Sequence, residues 1–276
     1  MGTAARQRNP LPGFGLGLGI TVTYLSLLLI LPLGACLLRA SSLTPSAFWA
    51  AVWTERAQAA YRLTFGTSAI AAAVNVLLGL LVAWVLVRYR FPGRAVLDAL
   101  VDLPFALPTA VAGLVYSGLL VPSGWYGQWL SPLGVPGAYT RFAIVVVLVF
   151  VGFPFVVRTV QPVLETLERD MEEAAELLGA SRWQTFARVV LPSLFSSLIT
   201  GFSLAFARGL GEYGSVVFVS GNMPFKTEIA PVLIVSRLEE FAYAEATAIA
   251  LVLVAGSVLA LAAVNWLERR SQRYAG

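Results

Sequence analysis

The chain has 276 residues, 58% of them hydrophobic and only 12% charged, where an average soluble domain carries about 25% charged residues. A polypeptide this apolar could not cover itself with polar surface in water, which excludes an ordinary soluble enzyme and points to a bilayer. The net charge of +4 comes from 18 Arg and one Lys against 15 acids, and these bases recur in small groups at the ends of apolar stretches, never as the dense run that would suit a nucleic acid.

Crossing the hydrocarbon core takes about 20 apolar residues. Six such stretches lie near 14–38, 64–87, 99–121, 142–161, 194–219 and 246–267, which predicts an all-α polytopic protein, one transmembrane domain over 1–276. The first contains Leu33-Gly34-Ala35-Cys36 after Arg6 and Arg8, similar to a cleavable lipoprotein signal. Its apolar run exceeds the roughly 7–15 residues of a signal core, and five further spans follow, so a retained helix is the better account. Segments 39–60, with Trp49 and Trp53, and 122–140, with Trp125, Tyr126 and Trp129, suit short elements at the membrane interface. Pro104, Pro108 and Pro154 are expected to kink the third and fourth spans rather than end them; gate movement is the sharper alternative. With the N-terminus inside, the inner segments hold 11 Arg and the outer segments five Arg and Lys226. This asymmetry places both termini in the cytoplasm.

Two arginines fall within spans. Arg208 lies about the middle of the fifth stretch, where an unpaired charge costs at least about 2.5–3.5 kcal/mol. It either serves an anion path, together with Glu212, Ser215 and Thr109, or pairs with Glu212 one turn away as a structural ion pair; both roles are compatible. Arg158 sits near the inner end of the fourth span, level with Asp98 and Asp102, and reads as a snorkelling or helix-pairing residue. Gly201, Ala205 and Gly209 and, offset by two, Gly211 and Gly214 leave one side of the fifth span thin, which favours close helix packing over an open path.

Catalytic chemistry is sparse. There is no His, and Cys36 is the only cysteine, so neither zinc nor triad chemistry nor a disulfide is expected. Lys226, the only lysine, follows Phe225 rather than the Gly of a phosphate-cradling Walker loop. No metal and no cofactor is expected, and if ATP drives this protein another chain hydrolyses it.

The inner loop over 165–192 is the most informative segment. Asp170 to Leu178 reads as one short helix, with Asp170 as its cap and Gly179 as its left-handed stop; Ser181 and Gln184 have the spacing of a capping box for the next. Met171, Ala174, Ala175 and Leu178 share one narrow face, and Glu172, Glu173 and Glu176 spread over the rest. Such a face suits equally a hairpin covered by its own chain and a ridge that enters another protein's groove.

Glu173-Ala174-Ala175, three residues, Gly179, nine residues and Val189-x-Leu191-Pro192 resemble the E-A-A loop of permease subunits of bacterial ABC importers, with Val for Ile. The stretches Arg88–Arg94, Asp102–Thr109, Gly152–Pro162, Phe206–Ser215 and Gly221–Pro231 further resemble the T-type permease of sulfate/thiosulfate importers. The molybdate permease is similar in some of these segments and differs by Phe at the place of Tyr213. This resemblance implies a type I importer permease with about six spans and a cytoplasmic coupling helix. It further implies that Met171, Glu172, Glu173, Ala174, Ala175, Leu178 and Gly179 dock a partner ATPase dimer through 170–182. A homologous W-type permease, or a second copy, would supply the other half of the path, and an extracytoplasmic sulfate-binding protein would deliver the anion. The setting is a bacterial inner membrane with lipid around it and no nucleic acid partner. Molybdate or tungstate is the competing substrate; a secondary anion transporter and an intramembrane enzyme are the rivals from other classes.

Overall fold

The computed structural model describes residues 13–167 and 169–275, and the side chains of these apart from Arg169 and residues 267–275. Arg6 and Arg8, and the side chains of Arg269, Arg270 and Arg273, on which part of the charge asymmetry rests, lie outside what it describes.

Among the described residues, five helices are long and apolar enough to cross a membrane: α1 (Phe14–Ala40), α3 (Glu55–Arg88), α8 (Arg141–Thr166), α10 (Arg182–Leu210) and the Tyr243–Trp266 part of α13 (Tyr243–Ala275). The chain is a multi-pass membrane protein. α1 contains a π turn over Ser26–Ile30 and continues through Cys36. Most of its apolar side chains are exposed, and its second half packs against α13. Between α1 and α3, the short α2 (Pro45–Val52) exposes Trp49 and Trp53. Thr44, Thr54 and Thr140 cap α2, α3 and α8, each side chain accepting from the backbone N–H three residues on.

The third apolar stretch departs from the sequence expectation. It is three pieces, α4 (Arg94–Val101), α5 (Leu103–Ala106) and α6 (Thr109–Leu120), where a single kinked span over 99–121 was expected. The break falls at Leu107-Pro108, extended at ψ 128 and 130. Pro108 has no N–H for the ladder, and its ring drives Leu107 out of helical conformation. In α8, by contrast, Pro154 and Pro162 are absorbed without ending the helix, as expected for Pro154.

The fifth stretch is corrected as well. α10 starts earlier, at Arg182, and stops at Leu210; Gly211 to Ser215 interrupt it before the four-residue α11 (Val216–Val219). The loop after α6 holds α7 (Gly127–Leu130), with Trp125, Tyr126 and Trp129 exposed. α9 (Arg169–Leu177) and α12 (Ala230–Glu239) complete the set.

The centre is the trio α3, α8 and α10, which bury Leu86, Val156, Val157, Val160, Leu164, Leu194 and Leu198 among them. Small residues set their spacing. A Cβ on Gly201 would lie 3.0 Å from Val156 Cα and 2.6 Å from Thr159 Oγ1; one on Gly79 would lie 2.8 Å from Val156 Cβ; one on Gly209 would lie 3.0 Å from Ser68 Oγ. The thin side of α10 is therefore filled by α8 and α3, the packing role expected for Gly201 and Gly209. A second cluster joins α6, α8 and α11 through Leu120, Ile144, Val147, Val216 and Val219. A third joins α2, α3, α12 and α13 through Val52, Ala57, Ala60, Leu233 and Ile249.

Candidate functional site

The loop between α8 and α10 forms two helical turns around Gly179, as its spacing predicts. Gly179 has φ +82, its N–H donates to the Glu176 carbonyl at 2.9 Å, and Ala180 N–H donates to the Ala175 carbonyl at 3.0 Å. These paired bonds satisfy the last carbonyls of α9 and stop it. Ser181 then opens α10 with both halves of a capping box: Ser181 N–H donates to Gln184 Oε1 at 2.8 Å and Gln184 N–H to Ser181 Oγ at 3.4 Å. Asp170 falls inside the first turn of α9 rather than before it, where its charge still complements the helix dipole.

α9 touches the rest of the chain only in part, through Glu172 and against the start of α10, and leaves most of its surface open. Met171, Glu173, Ala174, Glu176 and Gly179 are exposed, and Leu177 and Leu178 are each 90% exposed. Ala175 is half-buried. A helix that leaves two leucines in water at the end of an apolar ridge has not been covered by its own chain. Glu172 behaves differently from its two neighbours: it turns back and pairs with Arg88 at the end of α3. Arg88 also lies over the Trp84 ring, 5.6 Å from its centroid. Trp84 meets Phe186 edge-on at 5.5 Å, and Trp183 stacks on Phe186 at 5.6 Å. This clasp between α3 and the foot of α10 escaped the sequence reading, because its ion pair spans 84 residues and carries no local signature.

The other predicted cluster also assembles. Arg208 lies in the last turn of α10, where a cation opposes the free carbonyl end, rather than in the middle of an unbroken span. It pairs with Glu212, which is 2% exposed, while Glu212 Oε1 accepts from Ser215 N–H at 2.9 Å and from Ser215 Oγ at 2.8 Å. The interrupted segment is pressed onto the start of α6. A Cβ on Gly214 would lie 2.3 Å from Thr109 Oγ1, and one on Gly113 would lie 2.3 Å from the Ser215 carbonyl oxygen. Thr109, Arg208, Glu212 and Ser215 thus form one patch where two broken helices meet, with the Arg208 side chain 35% exposed. Broken backbone at membrane depth is tolerated where it lines a protein-enclosed or watery space.

Arg158 is a helix-pairing residue, as expected. Its Nε and one terminal nitrogen donate to both oxygens of Asp102 at 2.9 and 2.7 Å; its other terminal nitrogen donates to Asp98 Oδ1 at 2.7 Å and to Gln161 Oε1 at 2.8 Å. The planar fork ties the broken third stretch to α8. At the opposite end of the molecule, Arg56 near the start of α3 pairs with Glu228 at 2.7 Å, a link across 172 residues that sequence spacing could not reveal.

Residues 75–273 match the family described as binding-protein-dependent transport system inner membrane component. The chain belongs to that family, a permease subunit with no catalytic role of its own. It is 47% identical over 270 residues to the sulfate transport system permease protein CysT of Escherichia coli (strain K12), which covers 98% of each chain. It is 51% identical over 248 residues to the probable sulfate transport system permease protein cysT of Nephroselmis olivacea, covering 90% of this chain and 87% of that one. In fold it is similar to a chain of a bacterial ABC transporter that imports the acidic polysaccharide alginate, with a TM-score of 0.76 over 94% of this chain and 96% of that one at 16% identity.

Proposed function

We propose that this chain is a transmembrane permease subunit of an ATP-driven importer of sulfate and thiosulfate, forming half of the anion path in a bacterial cytoplasmic membrane. The observation that carries the substrate is the 47% identity across 98% of both chains to a permease named for sulfate transport. α1, α3, the composite α4–α6, α8, α10 with α11, and α13 make six crossings, with both termini in the cytoplasm. α9 then lies on the cytoplasmic side and offers Met171, Ala174, Leu177 and Leu178 to a groove of one ATPase subunit, with Glu173 and Glu176 facing basic residues on its rim. A homologous W-type permease supplies the other half of the path, and an extracytoplasmic binding protein delivers the anion to the opposite face.

The chemistry asked of this chain is modest. A dianion crossing hydrocarbon needs positive potential along its way, yet a bare guanidinium at depth would hold it too tightly to release. Arg208 offers a charge tempered by Glu212, at a helix break where Thr109 and Ser215 add hydroxyls, so contact with the anion can be weak and repeated. ATP hydrolysis belongs to the partner that α9 docks.

Labelled sulfate uptake into proteoliposomes that contain the permease pair, the ATPase and the binding protein tests the reading. Uptake that requires internal ATP, with competition by thiosulfate and little by molybdate, is expected. Uptake competed mainly by molybdate would reassign the substrate, and uptake driven by an ion gradient without ATP would refute the importer class.

A further inference from the structure

The end of the molecule opposite α9 holds a cleft of about 600 Å³ between residues 59–70 of α3 and the first turns of α8, lined by Arg62, Gly66, Thr67, Ile70, Arg141 and Phe225 among others. Its charge balance sets it apart from its surroundings. At this end Arg56 is neutralised by Glu228, Arg237 pairs with Glu240 and Glu245, and Arg39 lies over the Tyr243 ring. Arg62 and Arg141 meet no carboxylate within 4.0 Å among the described residues; Arg62 reaches only Gln58 Oε1 at 3.5 Å, and Arg141 Nε donates to the Lys226 carbonyl at 2.8 Å. That bond ties the backbone after Phe225 to the start of α8. Two positive charges, those of Arg62 and Arg141, thus share one opening without a carboxylate partner among the described residues.

The loop that closes the cleft is held in a costly conformation. Phe225 has φ +64, a region a bulky residue rarely adopts, and the residue, which lines the cleft, is 56% exposed. The Met223 carbonyl accepts from Lys226, Thr227 and Glu228 N–H at 3.1, 2.9 and 3.1 Å, and Met223 N–H donates to Thr227 Oγ1 at 3.0 Å. Strain sustained by so many bonds is characteristic of functional loops. On the facing wall, a Cβ at Gly66 would meet nothing within 4 Å, so the space is open beside the cations. Inward from the cleft, Thr67 is followed by Ser68, which packs against Gly209, the neighbour of Arg208.

We infer that this cleft is an oxyanion site, where Arg62 and Arg141 receive a divalent tetrahedral anion before it passes inward toward Arg208. The inference rests on the sulfate-import reading above. Sulfate and the phosphate of an anionic lipid headgroup share this chemistry, and the test separates them. Assembled complexes of wild type, the R62Q/R141Q pair and the R62K/R141K pair are placed in vesicles of phosphatidylcholine alone and of phosphatidylcholine with phosphatidylglycerol. Uptake of labelled sulfate is then measured below saturation at two ionic strengths.

The glutamine pair is expected to lower uptake about ten-fold in both lipids and to flatten the salt dependence, while the lysine pair keeps most of the activity. A loss confined to phosphatidylglycerol vesicles would assign the cleft to lipid and overturn the inference. An equal loss in the lysine pair would reduce Arg141 to its bond with Lys226, which also overturns it. The wild type separates the two claims: no sulfate uptake there refutes the substrate, whereas uptake there with an unchanged glutamine pair refutes the cleft alone.

Discussion

Glu212→Ala deletes the carboxylate that holds the break after α10 together. In the folded chain Glu212 is 2% exposed, pairs with Arg208 and accepts twice from Ser215. Breaking a buried ion pair from one side costs about 3–5 kcal/mol. Arg208 keeps 35% of its side chain exposed, so its share is discounted toward the roughly 0–1 kcal/mol of a surface pair. The two Ser215 donors left without an acceptor add about 1–3 kcal/mol. A net loss of about 3 kcal/mol is expected, which for a chain of this size lowers the melting temperature by roughly 6–12 °C. Arg208→Ala leaves Glu212 buried but still held by Ser215, for a loss of about 2 kcal/mol.

The double variant decides what the pair is for. With no charge stranded, R208A/E212A should lose less than the two single losses added together, a coupling of about 1–3 kcal/mol. Thermal melting of the purified complex measures this, and single losses that add to within about 0.5 kcal/mol would refute the paired arrangement. Uptake on the same samples separates structure from path. If Arg208 meets the anion, the double variant regains stability while sulfate uptake stays low; recovery of both would leave the pair a structural clamp and remove it from the path.

Gly201→Ala puts a Cβ 3.0 Å from the Val156 backbone and 2.6 Å from Thr159 Oγ1, so α10 must move off α8 at a cost of about 1–3 kcal/mol; Gly118→Ala, with nothing within 4 Å, should leave melting of the complex unchanged. Arg158→Ala frees Asp98 and Asp102, whose side chains are 40% and 49% exposed, so about 1–2 kcal/mol is expected by the same melting assay. Arg158→Lys should recover only part of it, since an ammonium cannot form the two-oxygen fork on Asp102 while also reaching Asp98. Arg88→Gln releases Glu172 and is expected to leave ATPase binding intact while sulfate imported per ATP falls several-fold; an unchanged ratio would show that the clasp transmits nothing.

What could be read in the sequence was what depends on neighbours along the chain. The stop at Gly179, the capping box of Ser181 and Gln184, and the Arg208–Glu212 pair are all set by residues within four positions of one another, and each is found where the spacing put it. Hydropathy failed at the third and fifth stretches for one reason: it sums apolar content and is blind to backbone conformation, so the extended Leu107-Pro108 and the turn at Gly211 to Ser215 left the apolar total unchanged. Glu172 illustrates the other limit. Helical periodicity spreads it with Glu173 and Glu176 over the faces away from the apolar ridge and gives it no partner, but its partner is Arg88, and only the folded chain brings that residue near.

The broken helices and the long unbroken α3 divide the work of the fold. α3 runs 34 residues without interruption, about 51 Å at 1.5 Å per residue, longer than the bilayer's hydrocarbon core of about 30 Å. Ion pairs fasten it at both ends, Arg88 to Glu172 of α9 and Arg56 to Glu228 of the loop beside the cleft. Between these points Ser68 packs against Gly209 and Gly79 against Val156 at contact distances with no slack. If an ATPase displaces α9 as proposed, α3 is a stiff member through which that movement reaches the opposite face, because close-packed interiors shift as units rather than deform continuously. The segments that can yield are the interrupted ones, α5 to α6 and α10 to α11, and these are the segments that bring Thr109, Arg208, Glu212 and Ser215 together. On this arrangement the rod carries the motion and the breaks receive it, which puts the proposed anion contacts at the place where the fold can change shape at least cost.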